Sequence, residues 1–252
     1  MEAELGFKLD YIGVWNERYW GGADFVTGLR SSLDAAGFAH TQIVIPDGRY
    51  DPVILADAAV DAAFNSSFSV VGLHYPCSQP HAEVAAAGKE YWASEDWWSS
   101  ADWAGAQDWG TLLLHNYVAN NMTATIAWSA VWSVYSDMHF GVGAGSGLMW
   151  AAQPWSGYYE LSPPLYTGAQ FTQFTTVGWR FLAVAVGGGS GTLPGGGYYV
   201  TIVAPDLSAF TLILESLQGT SPRCPREAPS APQTLTVSVT GGLPGPGLAR
   251  KP

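Results

Sequence analysis

The chain has 252 residues, a formal net charge of −11 and only 12% charged residues, while 48% are hydrophobic. Such a length and apolar share suffice for one large α/β barrel or two smaller domains with a packed core, and they exclude a disordered chain. The acidic balance excludes a polyanion-binding role, because phosphate recognition needs a basic surface, so no nucleic acid is expected as a partner.

From residue 9 to about residue 130, short β-rich runs alternate with longer helix-compatible stretches, the signature of a parallel sheet with crossover helices. In chain order the pattern predicts a strand over Leu9 to Trp15, a helix over Ala23 to Ala36, a strand over Thr41 to Ile45 and a helix over Pro52 to Phe64. A strand over Ser69 to His74, a helix over His81 to Gly88, a strand over Glu90 to Ala93, a helix over Gly110 to Asn121 and a strand over Thr123 to Trp128 follow. From Pro163 polar and apolar residues alternate. Gln170 to Thr175 and Tyr198 to Val203 read there as antiparallel strands of a second, β-rich domain. The cluster Gly187-Gly188-Gly189-Ser190-Gly191, followed by Gly195-Gly196-Gly197, lacks the Gly-Lys-Ser/Thr of a phosphate loop and reads as a hairpin connection. After Gly219 the chain is rich in Pro, Gly and Ser, and that tail is expected to be poorly ordered.

Two carboxylates fall where apolar strands end: Glu17 after Tyr11 to Trp15, and Glu95 after Tyr91-Trp92-Ala93. A glutamate after a strand is more often a solvated loop residue. In a charge-poor chain, however, two of them suggest a pair of acids acting on one substrate, as glycoside hydrolysis requires. Trp, Tyr and Phe, at 12, 12 and 10 copies, offer flat faces on which sugar rings stack. Cys77 and Cys224 are too few for a disulfide scaffold or a zinc site, and allow one bridge at most. No run of 18 apolar residues and no basic, apolar and small-residue leader pattern occurs, so neither a membrane span nor a secretion signal is expected in the sequence as written. Asn65-Ser66-Ser67 and Asn121-Met122-Thr123 have the form of glycan-acceptor triplets.

Five runs carry a resemblance to a known family: Asp10 to Arg18, His74-Tyr75-Pro76, Trp92 to Asp96, Thr125 to Trp128 and Gln153 to Gly157. In order and spacing they resemble the galactocerebrosidases, also called galactosylceramidases, from residue 9 to about residue 226, with Thr172 to Thr175 and Gly178-Trp179 in register after them. The resemblance implies an α/β plus all-β fold, the C-terminal part of a TIM (β/α)8 barrel (strands four to eight) followed by part of a β-sandwich. The implied domains are 1–165, a partial barrel; 166–226, a sandwich segment; and 227–252, the tail. Strand four would end at Glu17, strand seven at Glu95 and strand eight at Trp128, with strands one to three before Met1.

The resemblance further implies a retaining β-galactosidase that releases galactose from galactosylceramide and related sphingolipids, without metal or organic cofactor. Glu95 would be the nucleophile, Glu17 the acid/base, Asn16 the ligand of the sugar 2-hydroxyl, Trp128 a stacking platform and Arg226 a sugar contact. Asp96 reads as a structural hydrogen-bond acceptor, His74 as a hydrogen-bonded barrel residue, and Trp155 as packing beneath the site. The family works in the lysosome, or is secreted, with a saposin-type lipid-presenting protein as helper. Two departures stand out: the family's cysteine partner of Cys224 aligns with Asp108, leaving Cys224 free or paired with Cys77, and a sugar-facing tyrosine aligns with Phe140. The alternative is a truncated, non-catalytic relative that binds sugar or is inactive, because five strands do not close a barrel.

Overall fold

The computed structural model describes residues 6–77, 81–133, 147–185, 188–216 and 231–239. Ile43-Val44-Ile45 and Val70-Val71 are buried without alternation, as parallel strands covered on both faces require. They belong to a five-stranded parallel sheet whose spatial order is the chain order: β1 (Tyr11–Gly13), β2 (Gln42–Gly48), β3 (Val70–His74), β4 (Glu90–Asp96) and β5 (Ala124–Ala127). The crossovers are α1 (Ala23–Ala35), α2 (Val53–Val60) with α3 (Ala62–Ser67), α4 (Ala82–Ala86) and α5 (Trp103–Val118). One face of the sheet buries Ile43, Ile45, Val71, Leu73 and Ala93 under Val26, Ile54, Phe64 and Val84 of the helices. On the other face Val44, Val70 and Trp92 pack together with Tyr11. Each Val, Ile, Leu or Phe among them contributes roughly 1.5–3 kcal/mol of burial.

All five expected strands of this unit exist, with shifted limits. The first shortens to Tyr11–Gly13, and the helix expected from Gly110 begins at Trp103, because Asp102 caps it by accepting from Ala104 N at 3.0 Å and Gly105 N at 3.1 Å. The single helix expected over Pro52 to Phe64 is two. Asp61 adopts extended dihedrals (φ −119°, ψ 101°) that end α2, and its carboxylate accepts from Phe64 N at 3.0 Å to start α3.

Three short strands, β6 (Val131–Trp132), β7 (Met149–Trp150) and β8 (Glu160–Leu161), follow the barrel strands. The strand expected over Gln170 to Thr175 is not formed; its first half ends a helix, α6 (Pro163–Thr172). Pro163 and Pro164 stand in its first turn, where a missing N–H costs nothing, and Phe171 packs with Leu114 and Tyr198. Polar-apolar alternation was the wrong period for a helix that buries one face. Beyond it, β9 (Arg180–Phe181), β10 (Gly191–Thr192), β11 (Tyr198–Val203) and β12 (Phe210–Glu215) form an antiparallel sheet. β11 has the limits expected, and Gly195-Gly196-Gly197 turns the β10–β11 hairpin, with Leu193 N donating to Gly197 O at 2.8 Å.

α5 joins the two sheets. Its Leu114 packs on Tyr198 and Val200 of β11, its Tyr117 hydroxyl donates to Leu182 O at 3.1 Å, and its Thr111 hydroxyl donates to the Glu215 carboxylate. Of the sequence after Gly219, the described residues 231–239 touch the β10–β11 turn: Gln233 accepts from Gly195 N at 2.8 Å and donates to Gly196 O at 3.0 Å. Cys77 is disulfide-bonded; the chain's other cysteine, Cys224, lies outside the described residues. Asp108 is buried and accepts from the Ser99 hydroxyl. Among the described residues no helix is long and apolar enough to cross a membrane.

Candidate active site

In a parallel sheet all strands end on one edge, and the side chains that carry chemistry here sit on the edge where β1 to β5 end. Three of the four neighbouring pairs, all but β1–β2, slip register just there. Asp47 is the extra residue where Pro46 pairs with Gly72 and Gly48 with Leu73, and Ser94 is extra where Leu73 pairs with Ala93 and His74 with Glu95. A third slip falls on β4 between Ala93 and Asp96. An extra residue on one strand bends it and re-aims the side chains that follow. Trp15, Glu17, Asp47 and Tyr75 also hold positive φ (63°, 53°, 56° and 52°), a costly conformation for non-glycine residues that clusters at functional edges.

The turn after β1 is pinned to β2 by Glu17 N, which donates to Asp47 O at 3.0 Å. Its carboxylate Oε1 lies 3.1 Å from His74 Nδ1, and Glu95 Oε2 lies 3.6 Å from the same nitrogen. One ligand atom each of Glu17, His74 and Glu95 falls within 4.8 Å of the others, so the two carboxylates face each other across one small space. The Tyr75 hydroxyl donates to Glu95 Oε1, and His74 Nε2 lies 3.2 Å from Asp47 Oδ1. Burial opposes charging of the His74 ring, but its hydrogen bonds to Asp47 and Glu17 and the charges of Glu95 and Asp47 outweigh it, and the pKa is raised above 6.5. Side-chain exposure separates the acids: 55% for Glu17 and 15% for Glu95.

Asn16 stands exposed in the same turn as Glu17. Trp128, after β5, donates its backbone N–H to Asp96 O at 2.8 Å and presents a half-open ring edge-on to Trp132 at 4.9 Å. Asp96 is buried and accepts from Asn116 Nδ2 at 3.0 Å and its own neighbour Trp97 N at 3.0 Å, the structural role expected of it. Trp155 is 65% exposed in a short 3₁₀ turn and does not pack beneath the site. Arg226 and Phe140 lie outside the described residues. Sequence reasoning missed Asp47 and Tyr75 and undervalued His74. The signal was available, because Pro46-Asp47-Gly48 and His74-Tyr75 end apolar strands just as Glu17 and Glu95 do.

Fold and site together define a barrel-type carbohydrate-active class: a parallel α/β half-barrel with two facing carboxylates at the C-terminal edge of its sheet. Residues 2–173 match the sequence profile of the family described as Glycosyl hydrolase family 59, and the chain belongs to that family. It is 36% identical over 241 residues to a galactocerebrosidase of Mus musculus, covering 93% of this chain and 33% of that protein. The galactocerebrosidases of Homo sapiens and Danio rerio are 35% and 34% identical, over 86% and 93% of this chain and 30% and 34% of theirs. The chain thus spans about a third of the length of these curated relatives. Among solved structures, a glycoside hydrolase family 30 subfamily 8 xylanase from Clostridium acetobutylicum superposes with a TM-score of 0.57 at 17% identity, over 79% of this chain and 51% of that one. An endo-β-1,6-glucanase gives 0.57 at 16%, over 80% and 53%. Both are (β/α)8 barrel enzymes, and at such identities the likeness speaks to the fold.

Proposed function

We propose that this chain carries the catalytic pair of a retaining β-galactosidase that releases galactose from galactosylceramide and related galactosyl sphingolipids. The observation that carries the reading is the spacing of Glu17 and Glu95, whose facing oxygens lie within 4.8 Å. Retaining glycosidases hold their carboxyls about 5–5.5 Å apart, whereas inverting enzymes leave room for a water at about 6.5–9.5 Å. The enclosed Glu95, held by Tyr75, attacks the anomeric carbon as the open Glu17 protonates the leaving glycosidic oxygen. The resulting glycosyl ester is then hydrolysed by a water that gives its proton to Glu17, which restores both groups.

In this reading Asn16 holds the sugar 2-hydroxyl, Trp128 stacks on the sugar face, and Arg226 reaches the sugar from the β-rich part. The five parallel strands are strands four to eight of the complete barrel, and the antiparallel sheet is part of a β-sandwich. The relatives' name, galactocerebrosidase, supports the substrate class. Lysosomal or secreted placement and a saposin-type lipid-presenting helper belong to the same reading. The chemistry requires no cofactor. In the complete natural protein, Glu95→Gln is expected to abolish β-galactoside turnover by several orders of magnitude with the far-ultraviolet circular dichroism unchanged; a folded, active variant would sink the assignment.

A second reading has its own support for a polypeptide of these 252 residues alone. Among the described residues, β1 and β5 each have a neighbour on one side only. An open parallel sheet leaves unpaired strand edges beside the site, and such a product would bind sugar or be inactive.

A further inference from the structure

His74 reaches both carboxylates from one ring nitrogen, and Asp47 touches the other nitrogen from behind. The ring is nearly enclosed, with 4% of its side chain exposed. Among the described residues, the charged and titratable groups facing it are Glu17 from the turn after β1, Asp47 from β2, Glu95 from β4 and Tyr75 from its own strand end. As a carboxylate, Asp47 can only accept, so Nε2 must carry a hydrogen, and this leaves Nδ1 to face Glu17 Oε1. Across that 3.1 Å contact either Glu17 donates its carboxylic proton to a neutral ring, or a charged ring donates to the Glu17 carboxylate. Both arrangements hold one proton between the same two atoms.

Resting on the glycosidase reading above, we infer that His74, oriented by Asp47, is a positioning residue that shares the catalytic proton of Glu17 and sets the alkaline limit of activity. The proton balance of the reaction is unchanged: the pair gives one proton to the leaving oxygen in the first step and recovers one from water in the second. His74 itself forms no bond to the sugar. A proton held across that contact is kept for as long as the His74 ring can carry it, so the surroundings of the ring govern the alkaline limit. Asp47 is the lever, since its negative charge favours a proton on the ring, and the raised pKa of His74 agrees with that direction.

The same linkage appears in stability. A ring whose folded pKa is raised contributes stability that is fully present below its ordinary value near 6.5 and is lost as pH rises through the folded value. The test is Asp47→Asn, which keeps an acceptor and removes the charge, in the complete natural protein. The alkaline limb of kcat/KM against pH should move down by about one unit. KM at low pH should hold, and the melting temperature should fall below that of the wild type at pH 5 more than at pH 9. An active variant with a uniformly lower kcat and an unmoved limb would overturn the inference and leave the glycosidase reading intact. A wild-type protein that turns over no β-galactoside would overturn both. Should Asp47→Asn not fold, the His74 ring can be followed by NMR in the wild type. A midpoint that coincides with the alkaline limb supports the shared proton, and a midpoint below 6.5 overturns it.

Discussion

Gly48 shows how closely the backbone of the site is fitted. A Cβ added there would lie 3.2 Å from both Cα and N of Glu17, so the turn that presents the acid rests directly on β2. At Gly13 the added atom would meet Asp47 Oδ2 at 2.7 Å. Contacts this tight turn a methyl group into a displacement of the carboxylate that must stand within reach of the glycosidic oxygen. Gly48→Ala is expected to lower kcat/KM by about 10²-fold, since sub-ångström to ångström misplacement costs that much in an oriented site. The thermal midpoint should change little by comparison. Kinetics that match the wild type would mean that the Glu17 turn has other room to give.

At the scale of elements, caps and register slips matter more than propensity. Asp61 ends one helix and starts the next, so a single residue decides whether the β2–β3 crossover is one rod or two. The bend brings Ile54 and Phe64 onto the same buried cluster. Asp61→Ala removes the acceptor for Phe64 N and is expected to cost about 1 kcal/mol, the usual worth of an N-cap. Urea denaturation of the variant measures it, and an unchanged midpoint would show that the cap is replaced by water. The slips at Asp47 and Ser94 act the other way, giving up ladder pairing so that Asp47 can reach His74 and Glu95 can pair opposite it.

For the whole molecule the decisive element is α5, whose Asn116 donates to Asp96 of β4 and Thr125 of β5 on one side while Leu114 packs on β11 on the other. Leu114, 1% exposed, is its central contact with Tyr198 and Val200. Leu114→Ala should cost roughly 2–5 kcal/mol, the range for an enclosed leucine whose cavity relaxes only in part. Hydrogen exchange should report the loss first at β11 and β12, because those strands meet the parallel sheet mainly through this helix. Equal protection in variant and wild type would show that the two sheets hold each other by other contacts.

Much of this was written locally. Ile43 to Ile45 and Val70-Val71 declare buried parallel strands by composition alone, and β11 declares itself by alternation, because side-chain period and burial are properties of a short segment. The two glutamates and the family could also be read from the sequence, since they stand at strand ends in recognisable runs. The strand-like stretch that became α6 could not, because its period was ambiguous and packing on α5 decided it. Nor could the meeting of Asp47, His74 and Tyr75 with the two acids. Those residues come from neighbouring strands separated by whole crossovers, and only sheet register, with its slips at the strand ends, brings their side chains to one point.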